Sequence, residues 1–365
     1  MMEACHTARK QNFRDILQKR NHSAFVVMKP QNVRYLSGFT GDSTWLLLTD
    51  KENFLLTDSR YTEQARAECP GWQIVETKAG LAASLKSCCE ELDLRDLAFD
   101  YNYVTVELHK RLSISLGQRL TLRGEQDPCY ALRQIKDDRE LGAIERAAAV
   151  ADEALTQLRP RIKPGVSERE LAWELNYLLC KLGGDGPAFD TIIAAGPQGA
   201  LPHARPTDYR LRTGDMVTID FGAVVEGYCS DCTRTFVLGK PDKLQTERYQ
   251  AVLEAQALAL SGIKPGVTMR SADRFARDSL TKAGYGDYFG HGLGHSFGLE
   301  IHEEPRFSPL ADDAPLLEGM VMTVEPGLYI PGWGGLRIED DVAVTRDAIK
   351  TLTGYPKTLE EMTII

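Results

Sequence analysis

No stretch of this chain approaches the ~20 apolar residues that a membrane helix requires, and the start, MMEACHTARKQNFRDILQKR, is polar throughout. A cytoplasmic protein with no membrane partner is therefore expected. Positive charge is in short supply: 43 Lys and Arg face 52 Asp and Glu, giving a formal charge of −9. That balance leaves no footprint for nucleic acid or an anionic bilayer, both of which select clustered Lys and Arg. The eight cysteines are scattered, which fits reduced thiols rather than a disulfide framework. Cys229-Ser230-Asp231-Cys232 is a CxxC, but no second one completes a zinc knuckle, so these thiols read as incidental. Histidine is scarce too, with seven in 365 residues, and its placement then matters.

What is present is an ordinary globular composition, 43% hydrophobic and 26% charged, long enough for two domains. Ala24 to Met28, Trp45 to Thr49 and Asn53 to Thr57 read as strands and Ser59 to Glu68 as a helix, an α/β pattern. Gly and Pro break the pattern in Arg123 to Tyr130, and a helical stretch follows from about Asp137 to Leu158. The expected domains are 1–128 and 129–365. The first has no site-like cluster of His, Asp or Glu and reads as a scaffold or oligomerisation domain.

The second domain repeats itself. Ile162-Lys163-Pro164-Gly165-Val166-Ser167 recurs as Ile263-Lys264-Pro265-Gly266-Val267-Thr268, and Met216-Val217-Thr218-Ile219-Asp220 is matched by Val321-Met322-Thr323-Val324-Glu325. Two copies of an ααββ plan are expected. Each copy ends in a hairpin: Asp215 to Val224 with Tyr228 to Leu238 about Glu226-Gly227, and Val321 to Ile330 with Leu336 to Val344 about Pro331-Gly332-Trp333. Asp220 and Asp231 flank the first turn at similar distances, and Glu325 and Glu339 are centred on Gly332. Antiparallel partners equidistant from a turn lie opposite or diagonal. Four acids at repeat-related positions among Val, Ile, Thr and Met need compensation, and a divalent metal supplies it at the least cost.

Three of the seven histidines fall in His291-Gly292-Leu293-Gly294-His295 and the following Ser296 to His302. Two glycines between His291 and His295 make a helix improbable, so a loop or strand presents these rings. His203 sits between Pro202 and Pro206 in an extended segment. Carboxylates with imidazole suit a pair of hard or borderline divalent ions such as manganese, cobalt or zinc, and two such ions suit hydrolysis.

Five ordered motifs, TIDFG (218–222), SDCTRTF (230–236), GHGLGHSFGLEIHE (290–303), VEPGLY (324–329) and RIED (337–340), resemble the creatinase/aminopeptidase P/prolidase group of pita-bread metallopeptidases. The resemblance covers essentially the whole chain. It implies an α+β protein: an N-terminal α/β creatinase-like domain, then a pita-bread catalytic domain of duplicated ααββ units with a curved antiparallel sheet. It further implies metal ligands Asp220, Asp231, His295, Glu325 and Glu339, with manganese foremost and a homodimer as the assembly. By the same resemblance His302 stabilises the oxyanion, His291 holds the residue after the scissile bond, and His203 assists substrate binding and proton movement. Arg337 orients a ligand and Glu325 carries the proton to the leaving nitrogen. Creatinase relatives lack the metal ligands and histone-chaperone relatives keep only the shell of the fold, whereas this chain keeps all five, so a metal-dependent enzyme is expected rather than a peptide-binding module on the same fold. The substrates implied are peptides with proline second. The reading leans to aminopeptidase P over prolidase, which takes Xaa-Pro dipeptides.

Overall fold

The computed structural model describes residues 2–365, with side chains from His6 onward. The chain divides into two compact units, Met1–Arg133 and Gln134–Ile365. The expected boundary after residue 128 falls inside the short helix Pro128–Leu132 that closes the first unit.

The first unit is built on one mixed six-stranded sheet: β1 (Ala24–Val27), β2 (Trp45–Thr49), β3 (Asn53–Thr57), β4 (Gln73–Glu76), β5 (Asp96–Asp100) and β6 (Thr121–Glu125), in the order β4-β3-β2-β1-β5-β6. Strands β1, β5 and β6 run parallel, joined by helices Leu81–Glu91 and Val106–Leu116 on the way, as parallel neighbours require a crossover. The expected strands fall where the sequence places them. The helix expected over Ser59 to Glu68 begins only at Thr62, because Asp58, Arg60 and Tyr61 form a turn first.

The second unit opens on the helix Asp138–Leu158, whose capping box joins Asp137 and Glu140. Its strands are β7 (Gly186–Pro187), β8 (Ile192–Ala195), β9 (Met216–Phe221), β10 (Ala223–Val225), β11 (Tyr228–Cys229), β12 (Cys232–Leu238), β13 (Gly294–Ser296), β14 (Glu303–Phe307), β15 (Val321–Val324), β16 (Gly327–Ile330), β17 (Gly334–Arg337) and β18 (Asp340–Val344). Two antiparallel sheets contain β12-β9-β8 and β14-β13-β15-β18, and the interlocked hydrophobic core runs under both.

The duplication is visible bond by bond. The Gly165 N–H reaches Leu211 O and the Gly266 N–H reaches Leu316 O, each at 2.9 Å. The Leu211 and Leu316 N–H groups return to Val166 O and Val267 O. Gly165 and Gly266 take φ of +91° and +85°, the left-handed turn for which glycine recurs in both motifs. The motif's final residue caps the next helix, Ser167 for Glu168–Lys181 and Thr268 for Met269–Lys282. A sequence repeat is thus a repeated turn and cap.

Candidate metal centre

Both hairpins break where their acids lie. In the first, β9 pairs with β12 with Asp220 opposite Thr233, and β10 pairs with β11 in the same register, but the ladder is interrupted between. Asp231 lies in that gap, diagonal to Asp220. Gly222 fills it from the other strand, where an added Cβ would stand 1.9 Å from Ser230 O, so only glycine lets the two backbones approach. In the second hairpin β15–β18 and β16–β17 share one register, and the interruption spans Glu325 and Glu339. There the Glu325 N–H turns to Leu293 O and the Glu339 N–H to Thr233 O. The carbonyls of Val324 and Ile338 beside the break accept from Gln256 Nε2, each at 3.2 Å.

Register corrects one expectation about the acids. Asp220 and Glu325 are true repeat equivalents, but Glu339 stands where the first copy has Thr233, and Arg337 where it has Asp231. The equivalence follows from matched bonds, the Leu238 N–H to Asp215 O and the Val344 N–H to Met320 O. The duplicated frame is symmetric and its donors are not.

The acids nevertheless converge. Asp220, Asp231 and Glu339 each bring a carboxylate oxygen within 4.8 Å of the others, all three buried. His295 Nε2 lies 3.7 Å from Asp231 Oδ2 and 3.5 Å from Glu325 Oε1, bringing the remaining two expected ligands to the same place. Arg337 donates to Asp220 Oδ2 at 2.5 Å through Nη2, to Tyr329 Oη at 2.7 Å through Nη1, and to Thr233 Oγ1 at 2.9 Å through Nε. Thr233 Oγ1 donates to Glu339 Oε2 at 2.6 Å. The Asp231 N–H donates to Asp341 Oδ2 at 2.9 Å, so one hairpin holds the other.

Burial drives the electrostatics. Burial first, and then the neighbouring acids, push Asp231 and Glu339 well above the ordinary carboxylate range. Burial raises Glu325 to about 7, with Arg337 opposing. His295 is lowered to about 3 by burial and then by His302, and His291 to about 4 by burial and then by Arg337. Both imidazoles are neutral at pH 7, as a metal ligand must be.

This donor set fits a divalent centre. Asp220 Oδ1 is buried and has no hydrogen-bond partner, although a buried acceptor left unmade is expensive. Crowded buried carboxylates and a neutral imidazole are the donors that hard and borderline ions take.

The same cleft, about 520 Å³, is lined by His203, His291, His302 and Arg337 together with Arg205, Arg306 and Phe307. His302 stacks edge-on against His295 with ring centroids 4.5 Å apart. His203 is exposed at the cleft wall. His291 has both ring nitrogens engaged: Nδ1 is 2.8 Å from Gly292 O and Nε2 is 3.0 Å from Tyr329 Oη. Since Gly292 O only accepts, Nδ1 carries the proton and Nε2 accepts from the Tyr329 hydroxyl.

Residues 142–346 match the model of metallopeptidase family M24, and residues 9–135 match the creatinase/prolidase N-terminal domain. The chain belongs to metallopeptidase family M24. It is 38% identical over 344 residues to the Xaa-Pro dipeptidase of Pyrococcus horikoshii, covering 93% of this chain and 95% of that one. The solved structure of the Xaa-Pro dipeptidase from Bacillus anthracis superposes with a TM-score of 0.95 at 37% identity, covering 98% and 100% of the two chains. That of the X-Pro aminopeptidase from Thermotoga maritima gives 0.90 at 36%, with the same coverage. The creatinase-type first unit and the pita-bread second unit of this metallopeptidase are thereby those expected from the motifs.

Reading the sequence did not single out Tyr329, Thr233, Thr323, Gln256 or Asp341. Tyr329 lies within the VEPGLY motif, Thr233 within SDCTRTF and Thr323 within the repeated stretch Val321 to Glu325, where its hydroxyl accepts from the His295 N–H at 3.0 Å; Gln256 and Asp341 stand outside the motifs and take their roles from partners distant in the chain.

Proposed function

We propose that this chain is a two-metal exopeptidase that hydrolyses the bond between an N-terminal residue and proline. Asp220, Asp231, His295, Glu325 and Glu339 hold the ions, with manganese foremost and cobalt or zinc as alternatives. The observation that carries the reading is the convergence of three buried carboxylates within 4.8 Å around an unpartnered Asp220 oxygen, in a cleft walled by imidazoles. A divalent pair bound there supplies an activated water and polarises the scissile carbonyl.

The remaining roles belong to the protein's own groups. The prolyl nitrogen is a tertiary amide without N–H, so the departing amine must gain a proton, and Glu325 delivers it. Burial lowers the pKa of His302, with Arg306 next in effect, so a neutral ring faces the cleft and donates an N–H to the oxyanion. His291, its nitrogens fixed by Gly292 and Tyr329, presents its ring to the residue after the scissile bond. His203, exposed on the wall, assists binding and proton movement, and Arg337 fixes Asp220.

Between the two peptidase forms, the dipeptide reading gains support over the aminopeptidase P lean of the sequence. One relative named Xaa-Pro dipeptidase, from Pyrococcus furiosus, is 50% identical over 222 residues, a stretch covering 61% of this chain and 64% of that one. The cleft also carries Arg205 and Arg306, cations suited to the free carboxylate of a C-terminal proline. Chelator-stripped protein is expected to regain Xaa-Pro cleavage on adding manganese, with a dipeptide turned over faster than an Xaa-Pro-Xaa tripeptide. Faster tripeptide turnover would return the aminopeptidase form, and peptide bound but left intact with every divalent metal would favour a binding module. The homodimer is part of the proposal, and sedimentation of the full chain checks it.

A further inference from the structure

Lys136 precedes the helix Asp138–Leu158, and its side chain is 1% exposed. Its ammonium donates to Ser296 Oγ at 3.0 Å and lies 3.5 Å from Glu303 Oε2, on a side chain itself 6% exposed. A buried ion pair is a poor source of stability, since well-packed apolar residues of similar volume often do as well or better. Its location offers a different reason for it. His295 pairs with Arg306, but the next residue, Ser296, pairs with Glu303, so the ladder between β13 and β14 shifts register between His295 and Ser296. Such bulges disrupt the ladder locally, leave the extra residues unpaired and re-aim side chains beside active sites. Ser296 and Glu303 are the first cross-strand pair after the shift, and Lys136 touches both. The segment between them returns His302 to within 4.5 Å of the His295 ring, centroid to centroid. The second oxygen of Glu303 accepts from the Glu300 N–H at 3.1 Å, tying the same carboxylate to the interior of that loop.

We infer that Lys136 is a positioning residue whose buried ammonium locks the shifted register between Ser296 and Glu303, setting His295 toward the acids and His302 over the cleft. The inference rests on the metal-centre reading of this cleft. The test uses the full chain as wild type, Lys136→Met and the double variant Lys136→Met/Glu303→Leu. Melting temperature, manganese affinity of the stripped protein by titration calorimetry, and kcat and KM on an Xaa-Pro dipeptide are measured for each. Lys136→Met leaves the Glu303 carboxylate buried without this cation and should melt lower. The double variant should recover the wild-type melting temperature while manganese affinity and kcat stay reduced by roughly 10-fold or more and KM moves little, the range for groups that orient metal ligands. Recovery of affinity and kcat together with the melting temperature would make the pair structural only and overturn the inference. Should the double variant fail to fold, Ser296→Ala decides: weakened manganese binding at unchanged melting temperature supports the lock, and unchanged binding and kcat overturn it. A wild-type chain that neither binds a divalent ion nor cleaves Xaa-Pro would instead remove the metal-centre reading beneath it, an outcome the wild-type arm alone reveals.

Discussion

Glu325 shows how much one position asks of its surroundings. Its carboxylate meets His295 at 3.5 Å and accepts from Thr323 Oγ1 at 3.2 Å, in a site that raises it to about 7. A group poised near neutrality exchanges protons efficiently in both directions. Glu325→Gln keeps the shape and removes the titration, so kcat is expected to fall by at least about 100-fold, with weaker manganese binding read by calorimetry. Wild-type turnover in that variant would remove the proton-carrier role. Tyr329 acts one contact further out, accepting from Arg337 at 2.7 Å and donating to His291. Tyr329→Phe deletes both bonds while metal content should stay at the wild-type level. Its kcat should drop about tenfold, the equivalent of one hydrogen bond of ~1.4 kcal/mol. Steady-state kinetics beside metal analysis checks both halves.

At the scale of the element, what makes a site of each hairpin is the place where it stops being a hairpin. An unbroken ladder would commit the backbone around Asp231 and Glu339 to the neighbouring strand. The interruptions instead send the Asp231 N–H to Asp341 and the Glu339 N–H to Thr233. Gly222 is the hinge of the first break, since a methyl there would meet Ser230 O at 1.9 Å. Gly222→Ala should therefore force the strands apart and cost roughly 1–3 kcal/mol, as overpacking does. The expected readout is a lower denaturation midpoint together with weaker manganese binding, because Asp220 and Asp231 flank the hinge. A variant as stable as wild type with unchanged affinity would refute this view of the break.

For the molecule as a whole, buried titratable groups set the response to pH. Raised carboxylates such as Glu325, Asp231 and Glu339 contribute stability that is complete below their unfolded pKa values, 3.8 for the aspartate and 4.5 for the glutamates, and is lost as pH climbs through the folded values. The lowered imidazoles of His291 and His295 act oppositely, losing stability as pH falls from 6.5 toward their folded values. The two effects compete between pH 4.5 and 6.5, and above pH 7 only the carboxylates still titrate among these five. Stripped protein should therefore lose stability from pH 7 upward by about 1.4 kcal/mol per pH unit for each proton the fold retains. Bound cations replace those protons. Melting curves of stripped and manganese-loaded protein should accordingly diverge between pH 7 and 8, and parallel curves would argue against the ions neutralising this cluster.

The sequence by itself determined the chemistry on offer. The recurring IKPGV motif disclosed the duplication because a left-handed glycine and a helix cap are local requirements, readable wherever the chain must turn and start a helix. Asp220, Asp231, Glu325, Glu339 and the clustered histidines were legible for a similar reason: acids among β-branched residues and glycine-spaced imidazoles are unusual without a ligand. Only the tertiary structure decided how these donors meet. Ladder register places Thr233, not a second acid, opposite Asp220; the fold brings Asp341, two residues past Glu339, to the Asp231 N–H of the other hairpin, and Lys136 reaches the site from a segment that no local pattern connects to it. Those pairings depend on burial and on which strands become neighbours, quantities that exist only once the chain has closed on itself.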